Sequence, residues 1–118
     1  MKLSDRVEAL AGDIGPFNPI REDIARAIGW RFVSEGHPIG CVWYDPDGRA
    51  RALPDWPASL DAAMSLVPEG AGIDMRVTTE GNAIVAVWPE GFCKGHAQSR
   101  APTPALALCA AALRARGL

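Results

Sequence analysis

The chain has 118 residues, of which 48% are hydrophobic and 22% charged, as in ordinary globular proteins. This length fits one domain, so we predict a single domain over residues 1–118 and exclude two independent cores of normal size. The formal net charge of −2 excludes a global positive field that would hold nucleic acid or an anionic membrane.

Two short amphipathic helices are predicted at the start of the chain. The first follows a candidate N-cap at Ser4 and stops at Gly12, with apolar residues spaced at i, i+4 and i+7. The second has Asn18 as its N-cap and Pro19 at its first helical position, and it closes at Gly29. Isoleucines recurring every four residues give this second helix one apolar stripe.

A first hairpin follows. Aromatic and β-branched residues indicate strands at 30–33 and 41–44, on either side of an irregular loop. The sequence Asp-Pro-Asp-Gly at 45–48 is typical of a β-turn, because proline presets its own φ and glycine accepts a positive φ. A short return strand is predicted over 50–53.

A third helix, capped by Ser59 and ended by Pro68, leads into a second hairpin. Apolar and polar residues alternate over 73–78, which predicts a strand with one buried face. Gly81-Asn82 is predicted as a two-residue turn of the type that prefers glycine first, and the more apolar segment 83–88 is the returning strand.

The last part of the sequence predicts a loop and a long helix. Residues 89–101 contain glycines and polar residues and are predicted as a loop. Thr103-Pro104 then caps a helix over 105–116. Its apolar residues surround most of the helix, so we expect other elements to cover it on more than one side.

The order of elements, with helix plus hairpin occurring twice, predicts an α+β fold. We expect a layered α/β sandwich in which both hairpins form one antiparallel sheet of about four or five strands. Packing the C-terminal helix across that sheet would bury the apolar face of each.

We expect neither an export signal nor a membrane-spanning segment. Charged and apolar residues interleave over residues 1–8, which disfavours a secretory signal peptide. The longest apolar stretch, 105–113, covers about half of the roughly 20 residues that a spanning helix needs. Cysteines 41, 93 and 109 are odd in number and widely spaced, which favours free thiols in a reducing compartment. We therefore expect a cytoplasmic protein without membrane contact.

Four segments resemble the phage ABA sandwich domain family. They are IARAIGW (24–30), LPDW (53–56), SLDAAMSLVPEG (59–70) and APTPALALCAAALRAR (101–116), of which the last is the most specific. Members are small proteins of tailed phages, prophages and related bacterial loci, described as layered α/β/α sandwiches of no established activity. The resemblance spans about Ile24 to Leu118. It implies a fold and a bacterial host cell, and it implies no catalytic residue.

A zinc site is the first chemical hypothesis. His37 and Cys41, together with Cys93 and His96, supply two imidazoles and two thiolates, the ligands of many structural zinc sites. Their spacings match no common zinc module, and burial alone explains free cysteines. We therefore expect no metal and no other cofactor. The turn at 45–48 lacks the downstream ligands of a calcium loop.

Catalysis is the second hypothesis. Cys93 near His96 is the one local pair of a nucleophile and a base, and no orienting acid accompanies it. Neither a GxGxxG nor a P-loop pattern occurs. We expect a non-enzymatic protein, and a small thiol- or metal-dependent enzyme using Cys93 and His96 remains the alternative.

Partner binding is the interpretation that we prefer. Tryptophan and arginine are enriched at interface hot spots, and the loop Glu90–Arg100 departs from the family pattern. The candidate partner-binding residues are Arg49, Arg51, Trp56, Lys94, His96 and Arg100. For Arg49, Arg51 and Trp56 there is an alternative without a binding role, in which the two arginines are simply exposed beside a buried tryptophan ring. Residues 91–118 contain basic residues and no acid, so a nucleic-acid-binding module is a further alternative.

The resemblance to the phage family, together with the absence of an assembled chemical site, implies a phage- or prophage-associated binding protein. We expect it to inhibit or modulate a host process, including antiviral defence, through contact with a host or phage protein. Nucleic acid is the less favoured partner because the net charge is negative.

Overall fold

The computed structural model describes residues 2–10, 19–33, 42–90 and 95–118. Within these ranges the chain is α+β, with four helices and two antiparallel sheets of two and three strands. The elements are α1 (Leu3–Glu8), α2 (Ile20–Ala27), β1 (Arg31–Val33), β2 (Val42–Tyr44), α3 (Leu60–Met64), β3 (Gly72–Val77), β4 (Ala83–Trp88), β5 (Ala97–Ala101) and α4 (Pro104–Ala115). None of the described helices is long and apolar enough to cross a bilayer.

The chain divides into two compact units. The small unit is Pro19–Pro54, and the large unit joins Met1–Asn18 to Asp55–Leu118. The small unit contains α2 and the sheet β1-β2, and the large unit contains the other elements.

Local capping explains where the helices of the large unit begin. The Thr103 hydroxyl accepts a hydrogen bond from the Leu106 N–H at 3.2 Å, and Pro104 occupies the first turn of α4. The Ser59 hydroxyl accepts one from the Ala62 N–H at 3.3 Å at the start of α3. Both predicted caps are confirmed. The Ser4 cap is wrong: α1 begins at Leu3, so Ser4 lies inside the helix.

The core of the large unit is built around α4. All nine residues from Ala105 to Leu113 are buried, and the helix packs against α1, α3, β4 and β5. This confirms that α4 is covered on more than one side. Many of these residues are alanines, whose small side chains let neighbouring backbones come close.

A polar network ties α1 to the C-terminal part of the unit. The Arg114 guanidinium donates to Asp5 Oδ1 at 2.7 Å, to Glu8 Oε2 and to the Gln98 carbonyl oxygen at 2.7 Å. The Ser99 hydroxyl donates to Glu8 Oε2 at 2.8 Å. Although partial burial lowers the pKa of Arg114, the bonds to the two carboxylates raise it above its ordinary value.

The three-stranded sheet has the order β3-β4-β5, with both pairs antiparallel. Its inner face carries Ala83, Val85 and Val87 of β4, which are buried, and faces α4. Ser99 and Ala101 of β5 share this face and are also buried.

Strand β5 corrects the prediction of a loop over 89–101. Ala97–Ala101 pairs with β4 in a regular antiparallel register. Its sequence lacks aromatic and β-branched residues, so its β-propensity is low. Pairing with β4 and contact with α4 stabilise the strand in spite of that local preference.

The turn between β3 and β4 is longer than predicted. Thr78 and Asn82 close it, since the Thr78 N–H donates to the Asn82 carbonyl at 2.8 Å. The Gly81 N–H donates to the Thr78 carbonyl at 3.0 Å, and Gly81 has a φ of +85°. This is a three-residue loop with glycine in the left-handed position, which replaces the predicted two-residue turn.

The prediction of one sheet is wrong among the described residues. Strands β3, β4 and β5 form one sheet, and β1 pairs with β2 in a sheet of its own. The predicted return strand over 50–53 is reduced to a single bridge between Tyr44 and Ala50. The turn at 45–48 is confirmed: the Gly48 N–H donates to the Asp45 carbonyl at 2.9 Å, and Gly48 has a φ of +86°.

Candidate functional site

The outer face of the three-stranded sheet, which points away from α4, carries a group of mixed side chains. We define this outer face by Asp74, Arg76, Ile84, Ala86, Trp88, His96, Gln98 and Arg100. The register sets Asp74, Ala86 and Gln98 in one row across the strands. A second row contains Arg76, Ile84 and Arg100. All of these except Arg100 line a depression of about 310 Å³.

An aromatic pair lies at one end of the depression. The rings of Trp88 and His96 are 4.3 Å apart between centroids and are tilted by 32°. His96 Nε2 lies 3.4 Å from Gln98 Oε1. Trp88 is half-buried and His96 is exposed, so the pair presents both an apolar ring surface and a polar edge.

The charged side chains on the rim of the face are paired. Arg76 Nη2 lies 3.3 Å from Asp74 Oδ2, and Arg100 Nη2 lies 2.9 Å from Glu80 Oε2. Each arginine therefore has a carboxylate beside it, and the positive charge of the rim is largely neutralised. Because these pairs are exposed, they contribute little to stability and stay available to a partner.

Two of the predicted partner-binding residues, His96 and Arg100, lie on this outer face. Lys94 lies outside the described residues. Trp56 is a core residue of the large unit, 1% exposed, and its ring N–H donates to the Ser65 hydroxyl at 3.3 Å. A side chain buried in this way presents no surface, so we remove Trp56 from the candidate residues.

Arg49 and Arg51 belong to the small unit and surround the Asp45 turn. The Arg49 N–H donates to Asp45 Oδ1 at 2.8 Å, and Arg51 Nη1 lies 3.5 Å from Asp45 Oδ2. The bond from Arg49 is the main reason why the pKa of Asp45 is lowered, and Arg51 lowers it further against the opposing effect of burial. The Arg51 guanidinium also lies over the Trp30 ring, 5.7 Å from its centroid. Arg51 thus has structural contacts of its own.

The zinc and thiol-enzyme hypotheses rest mainly on His37, Cys41 and Cys93, which lie outside the described residues. The fourth proposed zinc ligand, His96, stacks on Trp88. Within the described ranges, no group of three His, Cys, Asp or Glu residues is placed to hold a metal ion. Burial raises the pKa of the Cys109 thiol to about 12, so this cysteine is not a nucleophile at neutral pH.

The basic C-terminal segment is paired with acids and carbonyls in the part that the structure describes. Arg100 contacts Glu80, Arg114 contacts Asp5 and Glu8, and Arg116 Nε donates to the Leu66 carbonyl at 2.6 Å. These contacts disfavour a row of free cations that would follow a phosphate backbone.

Most of the outer face was missed at the sequence level. The alternation over 73–78 assigns Asp74 and Arg76 to one side of a strand, but Gln98 and Arg100 join them only once β5 is recognised. The period-2 pattern of small and polar residues over 97–101 was the available signal.

The chain was compared with protein-family models, curated proteins and solved structures. No protein-family model, curated protein or solved structure matches the chain. The resemblance to the phage ABA sandwich domain family therefore stays a prediction.

Proposed function

We propose that the chain is a non-enzymatic protein-binding module and that the outer face of the three-stranded sheet is its contact surface. The observation that carries this proposal is the apolar column Ile84, Ala86 and Trp88, which runs along the central strand between polar and charged rims. An apolar centre within a polar rim is the usual anatomy of a protein interface.

A protein partner suits this face better than nucleic acid does. The cations at the rim, Arg76 and Arg100, both have a carboxylate within 3.3 Å. Nucleic-acid binding depends on cations that replace condensed counterions along the phosphates. Arginines that are already paired with carboxylates supply few such cations. At a protein interface, however, the same arginines and carboxylates can pair with opposite charges of the partner.

Binding also suits this face better than catalysis. His96 is held against the ring of Trp88 and beside Gln98, and the described side chains of the outer face include no serine, threonine or cysteine. The alternative is a thiol- or metal-dependent enzyme using Cys93 and His96.

The resemblance to a phage family supports a role as an inhibitor or modulator of a host process in the bacterial cytoplasm.

The test begins with identifying a partner and ends with purified components. Immobilised wild-type protein, a His96→Ala/Gln98→Ala variant and a Glu69→Ala control are each incubated with host lysate and with phage-infected lysate. Glu69 is exposed and lies outside the outer face, so its substitution controls for truncating an exposed polar side chain elsewhere on the surface. A protein retained by the wild type and the control, and lost from the double variant, is the candidate partner.

Binding of the purified candidate partner is then measured by calorimetry. We expect the double variant to bind about tenfold more weakly, which corresponds to about 1.4 kcal/mol. Equal affinity for all three proteins would contradict the outer face as the contact surface. Turnover that Cys93→Ser abolishes while the fold is kept would favour the enzyme, and capture of nucleic acid alone would favour the other alternative.

A further inference from the structure

The two edges of the three-stranded sheet differ in how they are protected. At the β5 edge, the Gln98 carbonyl accepts a hydrogen bond from Arg114 Nη1, and α1 packs beside the strand. At the β3 edge, the backbone forms no hydrogen bond beyond its ladder with β4 among the described residues. An open edge strand is a template for pairing with another strand.

The ladder with β4 determines which backbone groups of β3 point outward. Thr78 and Asn82 form a hydrogen-bonded pair, because the Thr78 N–H donates to the Asn82 carbonyl. Along an antiparallel ladder, hydrogen-bonded pairs alternate with pairs whose N–H and C=O groups point away from the partner strand. This alternation directs the N–H and C=O groups of Ile73, Met75 and Val77 to the open edge.

The side chains of β3 leave apolar surface at the same edge. Met75 is 37% exposed and Val77 is 69% exposed, although both belong to the inner face of the sheet. Helix α4 covers this face over β4 and β5. The edge carries no proline or lysine, and its two charged side chains, Asp74 and Arg76, have opposite signs.

The sequence of β3 is complementary to itself in one antiparallel register. When Met75 lies opposite Met75 of a second copy, Asp74 faces Arg76 of that copy and Arg76 faces its Asp74. The same register sets Ile73 opposite Val77 of the second copy, so the outward backbone groups and the apolar side chains both match. Shifting the register by two residues sets two aspartates or two arginines directly opposite each other.

We propose that the chain forms a symmetric homodimer through β3, which joins the two three-stranded sheets into one continuous antiparallel sheet. The contact supplies hydrogen bonds to the open edge and covers Met75 and Val77 with apolar side chains of the second copy. Two Asp74–Arg76 pairs fix its register. This inference does not depend on the proposed partner, because it concerns the edge of the sheet and a second copy of the same chain.

The first experiment measures mass in solution by sedimentation equilibrium from about 1 μM to about 1 mM, a range that covers weak and moderate dimers. We expect the wild type and a Glu69→Lys control to dimerise. We expect Val77→Lys to be monomeric, because it places a lysine at the apolar edge. Val77 is exposed, so the fold is retained and thermal unfolding verifies this. A wild type that is monomeric throughout would overturn the proposal.

Charge reversal then tests the register. Asp74→Arg alone sets arginine against Arg76 of the other copy, and Arg76→Asp alone sets aspartate against Asp74. We expect each to raise the dimer Kd by about tenfold. The double variant Asp74→Arg/Arg76→Asp restores opposite charges, and we expect it to recover the wild-type Kd. An equimolar mixture of the two single variants should form mixed dimers. A dimer that none of these changes affects would place the interface elsewhere and overturn β3 pairing.

Discussion

The two units of the chain stabilise their strands in different ways. In the large unit, α4 covers the inner face of the sheet, and Val85 and Val87 are fully buried. In the small unit, no residue of β1 or β2 is buried. Beyond their backbone ladder, these strands make ring contacts: the Phe32 and Trp43 centroids lie 5.1 Å apart, and the Arg26 guanidinium of α2 lies 5.3 Å from the Trp43 ring.

This difference teaches that one kind of element, the antiparallel strand pair, can be stabilised by burial or by local surface contacts. Burial of an aliphatic side chain in a close-packed core contributes several kcal/mol, whereas an aromatic or cation–π pair contributes about one. Substitutions in the two units should therefore differ in size in a measurable way.

The largest effect is expected from Leu113→Ala in α4. Leu113 is 0% exposed, so removing its side chain should cost about 2–5 kcal/mol of unfolding free energy through lost burial and a residual cavity. Urea denaturation measures the change. The matched control is Leu60→Ala on α3, where the leucine is 43% exposed. A loss below about 0.5 kcal/mol for Leu113→Ala, the range of surface substitutions, would contradict the burial of α4.

The corresponding substitution in the small unit is Trp43→Ala. It removes both the ring contact with Phe32 and the cation–π contact with Arg26, and it should cost about 1–2 kcal/mol. Trp43→Phe keeps an aromatic ring, so it should lose less unfolding free energy than Trp43→Ala. If Trp43→Ala cost more than Leu113→Ala in the same urea series, the contrast between the units would be wrong.

A smaller effect, dependent on pH, is expected at the turn of the small unit. The bond from the Arg49 N–H holds the pKa of Asp45 below its ordinary value. A carboxyl whose pKa is lower in the folded state contributes stability above the unfolded pKa and loses it as the pH falls through the folded pKa. We expect the wild-type Tm to fall more steeply than that of Asp45→Asn below about pH 4. Identical slopes in thermal melts across that range would exclude this contribution.

No effect is expected from metal removal. A strong chelator should leave the Tm of the purified protein unchanged, since the spacings of the candidate ligands match no common zinc module. Thermal unfolding with and without chelator, together with metal analysis, provides the test. A large drop in Tm accompanied by stoichiometric zinc would make His37, Cys41, Cys93 and His96 the ligands.

Local signals in the sequence predicted the parts of the fold that depend on local contacts. The caps Ser59 and Thr103 and the turn at 45–48 are fixed by side chains and backbone bonds within a few residues. The separation of the hairpins into two sheets and the pairing of β5 depend on contacts between distant segments. Nothing in the order of residues near 97–101 specifies β4 as a partner.

The candidate site was only partly predictable for the same reason. His96 and Arg100 were chosen from composition, and both lie on the outer face. Trp56 was chosen because tryptophan is common at interfaces, but its size and apolar surface place it in the core. Within the small unit, the Arg51 guanidinium lies over the ring of Trp30.

Buried Cys109 supplies an internal reporter of core opening. A thiol whose pKa is about 12 and which is shielded by α4 packing reacts with an alkylating reagent only during transient exposure. In a Cys41→Ser/Cys93→Ser background, the rate of alkylation would therefore give the free energy of dislodging α4 under native conditions. A value below the free energy of global unfolding would indicate local release of the helix, whereas an equal value would indicate that Cys109 is exposed only by global unfolding.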